Sequence, residues 1–218
     1  MRFSGFSTQG FSFLQNLAAN NNRDWFLTHK ADFESDVKAP LQNLSDALLP
    51  KMHAIDPKLS ASISRIYRDT RFSKDKTPYK TNQWITFKRP YQNWQNTPAW
   101  FFAVEPHSFC FGMGYFCAER ATMDKIRASI LEKPQHFLQE IAFLQSGQFA
   151  IEGECYKRAI KGDIPQALQD FYQRKTFYLI ANFPARALAS NFATDLMNAF
   201  ETLIPLYDSL WCIQNQHE

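Results

Sequence analysis

Near residue 61 the apolar residues of this chain change their spacing, and that change restricts the folds open to it. Upstream, Phe11, Leu14, Leu17 and Ala18 recur at the period of an amphipathic helix. The asparagines at 20–22 break the run. An asparagine there caps a second helix, with Asp24 favourable in its first turn. Trp25, Phe26, Leu27, Phe33 and Val37 supply that helix with apolar residues, and Pro40 suits the first turn of a third, bearing Leu41, Leu44, Leu48 and Leu49. Downstream, "QWITFK" (83–88), "AWFFAV" (99–104) and "FCFGMGYF" (109–116) read as strands. The turn "EPHS" joins the last two into a hairpin. It sets Phe109, Phe111, Met113 and Tyr115 on one face and Cys110, Gly112 and Gly114 on the other. The stretch "ISRIYRDTRF" (63–72) fits either period, and its β-branched and aromatic content favours a strand.

Helical signals return in "TMDKIRASILEK", with Thr122 as its cap, and in "PQHFLQEIAFLQSG", which Pro134 opens and Gly147 ends. Short strands are expected at 149–152 and 176–183. Pro165 opens another helix, and a long one is expected from Ala185 until Pro205 interrupts it. The expected class is α+β: a central, mainly antiparallel sheet flanked by N-terminal and C-terminal helices. No linker or repeat divides the chain, so residues 1–218 are expected to form a single domain. It is helical over 1–60, strand-rich over 61–117, and mixed and helical over 118–218.

Composition narrows the function. Phenylalanine occurs 21 times and glycine only 7 times, so the core is aromatic and glycine-rich phosphate-cradling loops are nearly excluded. No P-loop and no G-x-S-x-G elbow is present. The G-x-G at 112–114 lacks the rest of a dinucleotide fingerprint, and no cofactor is expected. His136 and Glu140, one helical turn apart, are too few for a metal site and read as a solvated helix face, so no metal is expected. "MRFSGFSTQGFSFLQNL" has no continuous apolar core of a signal peptide, and no run reaches the roughly 18 apolar residues of a membrane span. Cys110, Cys117, Cys155 and Cys212 show no C-x-x-C pair, as expected of reduced thiols in a cytoplasmic protein.

Charge is concentrated. The net charge of +3 conceals eight Lys/Arg against two Asp/Glu over residues 61–92. Within "RIYRDTRFSKDKTPYKTN" (65–82), Asp75 favours a turn and Thr77 before Pro78 is pushed toward extended geometry, giving a basic loop at the end of a sheet. Arginine forks and hydroxyls suit phosphate or carboxylate oxygens. Arg65, Arg68 and Arg71 would hold such oxygens, Lys74, Lys76 and Lys80 would attract them, and Tyr79 would flank the site. Three other readings stay open. One is an enzyme for a phosphorylated or carboxylated substrate, with Asp69 or Asp75 as acid–base; Glu105 is a further carboxylate to test. Another is an interaction protein docking an acidic partner. The third is a purely structural network in which the arginines pair with acids from the helices. The anionic partner would be a small molecule or nucleic acid, not a membrane, and the oligomeric state is left open. The loop "KRPYQNWQNTPAW", with Tyr91, Trp94 and Trp100, either stacks on bases or sugars or closes the core.

Two motifs carry a resemblance. They are Asn21-Asn22-x-x-Trp25-Phe26 with Lys30 and Phe33, and the run from Arg65 to Thr81 containing Arg68-Asp69-Thr70-Arg71-Phe72-Ser73-Lys74-Asp75-Lys76 and Pro78-Tyr79-Lys80. With Gly114-Tyr115, Ile126-Arg127, "YKRAIKGDI" and Lys175, the chain resembles the family known as domain of unknown function 2461 along nearly its whole length. That resemblance implies a shared fold and a shared central motif, and brings no activity with it.

Overall fold

The N-terminal apolar pattern folds as helices. The computed structural model describes residues 3–71 and 73–215. In it α1 (Thr8–Ala19) buries Phe11, Phe13, Leu14 and Leu17, leaves Ala18 exposed and stops at the asparagine run. Asn22 caps α2 (Arg23–Thr28): its side-chain oxygen accepts from the Trp25 N–H at 3.0 Å. Between α3 (Lys30–Asp32) and α4 (Ala39–Ile55) the backbone widens into π-helical turns over Phe33–Lys38, where the Ala39 N–H reaches back to Glu34 O. Pro40 follows in the first turn of α4 and has no N–H to donate, so a shift of hydrogen-bond register just ahead of it costs little.

The strands are β1 (Ser60–Ile63), β2 (Gln83–Lys88), β3 (Pro98–Val104), β4 (Ser108–Tyr115), β5 (Ala150–Glu152) and β6 (Tyr178–Pro184). Among the described residues they form an antiparallel sheet in the order β1-β2-β3-β4-β6-β5, with Ala150 opposite Ile180 and Glu152 opposite Tyr178. The remaining helices are α5 (Arg120–Glu132), α6 (Pro134–Glu140), α7 (Gln169–Tyr172), α8 (Phe192–Glu201) and α9 (Ile204–Asn215). The class is α+β.

The chain divides into two compact units. The first comprises Met1–Phe87, Phe101–Phe111 and Asn182–Met197. Its core is aromatic: Phe109 stacks on Phe183 at 5.2 Å between ring centres, and Phe192 meets both Phe102 and Phe109. The second comprises Lys88–Trp100, Gly112–Ala181 and Asn198–Glu218. There Trp100 is fully buried against Phe200 and Tyr207, and Phe171 packs edge-on against Phe177 and Phe137. Buried Arg127 of α5 supports this unit by donating to Tyr172 O, to Arg174 O and to Asp124 Oδ1.

Four local expectations are corrected. Of the strand expected over 63–72, residues 64–71 do not continue as one, and Phe72 lies outside the described residues. β1 ends at Ile63, and beyond it a single bridge joins Tyr67 to Tyr79. Asp69 captures the Arg71 N–H at 3.2 Å and Asp75 the Thr77 N–H at 2.9 Å, and such local turns withdraw backbone donors from a ladder. The helix expected from Ala185 begins only at Phe192, because Leu188 is held extended by two backbone bonds to Phe6. Pro205 opens α9 instead of interrupting a helix, a position where its missing N–H does no harm. Thr122 is not the cap of α5. It lies inside the helix, buried, and donates to Asn96 Oδ1 at 2.8 Å, while Glu119 precedes the first turn.

Candidate anion-binding cleft

The basic loop is tied to the N-terminal helices by one side chain. Asn21 donates from Nδ2 to Tyr79 O at 2.9 Å and accepts from the Tyr79 N–H at 3.1 Å. Buried Tyr79 stacks on Phe26 with ring centres 4.1 Å apart, and burial pushes its hydroxyl pKa up. Phe26 in turn leans on Phe33. Two further backbone bonds, Arg68 N–H to Pro78 O and Lys80 N–H to Ile66 O, tie the two ends of the loop together. The two motifs quoted above thus meet at Asn21, Phe26 and Tyr79.

The three arginines have different fates. Arg68 donates from Nη1 to Asp75 Oδ2 at 2.5 Å and to Thr77 Oγ1 at 2.9 Å. Arg71 forks onto Asp69, with Nε to Oδ1 at 2.9 Å and Nη2 to Oδ2 at 2.6 Å. These acids belong to the loop itself and not to the helices. Arg65 is exposed and, among the described residues, makes no ion pair. The lysines differ too. Lys76 donates to Thr70 O, Lys74 is exposed, and Lys80 lies over the Trp84 ring at 4.5 Å. Burial first, and then the Arg65 charge, lowers the Lys80 pKa. Arg65 and Lys80 therefore repel one another.

Arg65 borders a half-open cleft of about 400 Å³. Phe26, Phe33, Leu41, Ile63 and Ile66 supply its apolar lining, and Lys30, Glu34, Lys38 and Arg65 its charges. Lys38 is held by Glu34 at 2.7 Å. Lys30, like Arg65, has no ion-pair partner among the described residues. Exposed Tyr67 completes the rim. Arg68, Arg71, Lys74, Lys76, Tyr79 and Lys80 do not line this cleft. Lys30 and Lys38 were not among the residues singled out for a site from the sequence. Their i, i+4, i+8 spacing with Glu34 marks one helical face, but nothing in the sequence places that face opposite Arg65.

The acid–base candidates are poorly suited to proton transfer at neutral pH. The Arg71 side chain and then its backbone N–H hold Asp69 down at about 2. The Thr77 N–H, its hydroxyl and then Arg68 hold Asp75 below the usual carboxylate range. A general base works best with a pKa near the working pH. Glu105 accepts from Ser108 Oγ at 3.1 Å inside the hairpin turn. Among the described residues no group of three or more His, Cys, Asp or Glu side chains converges as metal ligands.

Other sequence candidates resolve as packing. A side chain at Gly114 would meet the backbone of Tyr178 and Phe177, so the adjoining chain at β6 leaves no room for one there. Of the stretch 88–100, Trp100 lies in β3 and is core, Lys88 at the end of β2 lies over Trp94 at 3.5 Å, and Tyr91 leans on Trp211 while staying 48% exposed. Glu140 is not solvated. It is buried beside exposed His136, whose Nε2 lies 3.0 Å from Glu140 Oε1, and burial pushes its carboxyl pKa up. Cys117, Cys155 and Cys212 are exposed thiols and Cys110 is buried.

Among the described residues no helix is long and apolar enough to cross a membrane. No curated protein matches the chain. A family model does match it, over residues 9–208, which includes both motifs and every residue of the cleft. The chain belongs to the family of conserved hypothetical proteins designated DUF2461.

Proposed function

We propose that this protein binds a small anionic ligand in the cleft beside Arg65, with Arg65 and Lys30 as the groups that hold its charge. One observation carries the reading: of the three central-motif arginines, Arg65 makes no salt bridge among the described residues, only a longer-range attraction to Asp69, and it borders a concave surface. A guanidinium with no salt bridge among the described residues, and one that repels Lys80, is poised for an external carboxylate or phosphate, because that anion relieves repulsion and adds charge-assisted hydrogen bonds. The concave form favours a small molecule over nucleic acid, whose phosphates need a longer basic track. Arg68 and Arg71, neutralised by Asp75 and Asp69, shape the loop. Exposed thiols at Cys117, Cys155 and Cys212 suit the reducing cytosol, where we place the protein.

Thermal melts with and without inorganic phosphate or acetate test this. The wild type should gain Tm with rising anion concentration, as a ligand specific for the native state requires. Arg65→Gln should abolish the gain, whereas Arg71→Gln should retain it. An equal gain in wild type and Arg65→Gln would refute the assignment.

A further inference from the structure

The cleft is not a bare charge pocket. Apolar side chains from the π-helical turn, α4 and β1 (Phe33, Leu41 and Ile63) line it alongside Arg65 and Lys30, which make no salt bridge among the described residues. Its volume of about 400 Å³ lies at the small end of ordinary ligand pockets. Phe33 and Leu41 are themselves buried, so Ile63 and the Tyr67 ring supply the accessible apolar surface, which inorganic phosphate would leave wet. A carboxylate also stands in the wall: Glu34 pairs with Lys38 at 2.7 Å, which leaves Arg65 and Lys30 to hold a ligand's head. The Tyr67 ring leans on Tyr79 at 5.5 Å between ring centres and, 60% exposed, still offers apolar surface to a ligand.

We infer that the ligand is an amphipathic carboxylate, its head held by Arg65 and Lys30 and its aryl or alkyl body seated on Ile63 and Tyr67, an inference that rests on the anion reading above. The head fits the arginine fork as a two-oxygen acceptor, with the lysine as a point charge beside it. The body removes apolar surface from water on both sides of the contact.

Calorimetric titration of the full chain with phenylacetate, acetate, inorganic phosphate and phenylacetamide tests this. Phenylacetate should bind about tenfold or more tighter than acetate, because the ring adds buried apolar area. It should likewise exceed phosphate, and phenylacetamide should give no measurable heat. Arg65→Gln should weaken phenylacetate and acetate alike. Tyr67→Ser should weaken phenylacetate and leave acetate unchanged. Phosphate or acetate binding as tightly as phenylacetate, with full dependence on Arg65, would overturn the amphipathic ligand and leave the anion site standing. Phenylacetamide binding as well as phenylacetate would overturn it from the other side. Absence of binding by every anion would remove both readings together.

Discussion

Removing the Asn21 side chain should loosen the central loop from the N-terminal helices. Asn21 makes two part-buried bonds to one residue, donating to Tyr79 O and accepting from the Tyr79 N–H, across 58 positions of sequence. In Asn21→Ala both backbone groups of Tyr79 lose their partner while its ring stays packed on Phe26. A hydrogen bond of this kind nets about 0.5–1.5 kcal/mol, and a group left unsatisfied costs about 1–3 kcal/mol. Two such groups with partial access to water give a loss of about 2–4 kcal/mol. For a chain of this length each kcal/mol lowers Tm by about 2–4 °C, so the variant should melt about 5–15 °C below wild type. Asn21→Asp keeps the acceptor for the Tyr79 N–H and loses the donor to Tyr79 O, so its loss should be smaller. Circular dichroism melts at neutral pH, repeated as urea titrations, read both. A Tm for Asn21→Ala within about 2 °C of wild type would refute the clamp, as would equal losses for Ala and Asp.

Other perturbations probe separate parts of the account. The pKa of buried Glu140 is raised above its ordinary 4.5, so the folded state holds its proton more tightly than the unfolded one. Stability from this group is present below 4.5 and is lost as pH rises through the folded pKa. Glu140→Gln should therefore stabilise the protein at pH 7 but not at pH 4, and urea titrations at the two pH values check the sign. Asp69, held at about 2 against an ordinary 3.8, should stay ionised through pH 3 in a carboxyl NMR titration. Its shift favours the fold above 3.8 and is lost as pH falls through about 2; Arg71→Gln should return its midpoint toward 3.8. Gly114→Ala would drive a methyl group into the backbone of the neighbouring strand, 2.6 Å from Phe177 O. It should cost about 3 kcal/mol or more, read as a large fall in the urea midpoint.

Much of the architecture was legible because it rests on local chemistry. Apolar spacing located α1 and the helices that follow, Asn22 signalled its cap, and alternating aromatics marked β3 and β4. The misreadings lie where distant backbone or local acids decide. Leu188 looks like the start of a helix until Phe6 pairs with it, and 63–72 resembles a strand until Asp69 and Asp75 fold back on their own chain. The candidate site was legible in part. Charge counting found the basic segment and Arg65 within it, but equal arginines in a sequence are unequal in space. Spacing alone does not say that Arg71 would close on Asp69, two residues away, while Arg65 would line the same cleft as Lys30. Nor does it show Asn21, one of three candidate caps, and Tyr79, read as a site flank, to be the clamp beneath the loop.

The account turns on whether Arg65 is the open cation of its motif. Crystals of the protein soaked in sulfate, a tetrahedral anion visible in electron density, test this most directly. The account predicts a sulfate in the cleft within hydrogen-bond distance of the Arg65 guanidinium and close to Lys30, with Arg68 still on Asp75 and Arg71 still on Asp69. An empty cleft, with sulfate held instead by Arg68, Arg71 or Lys74 on the outer loop, would contradict it.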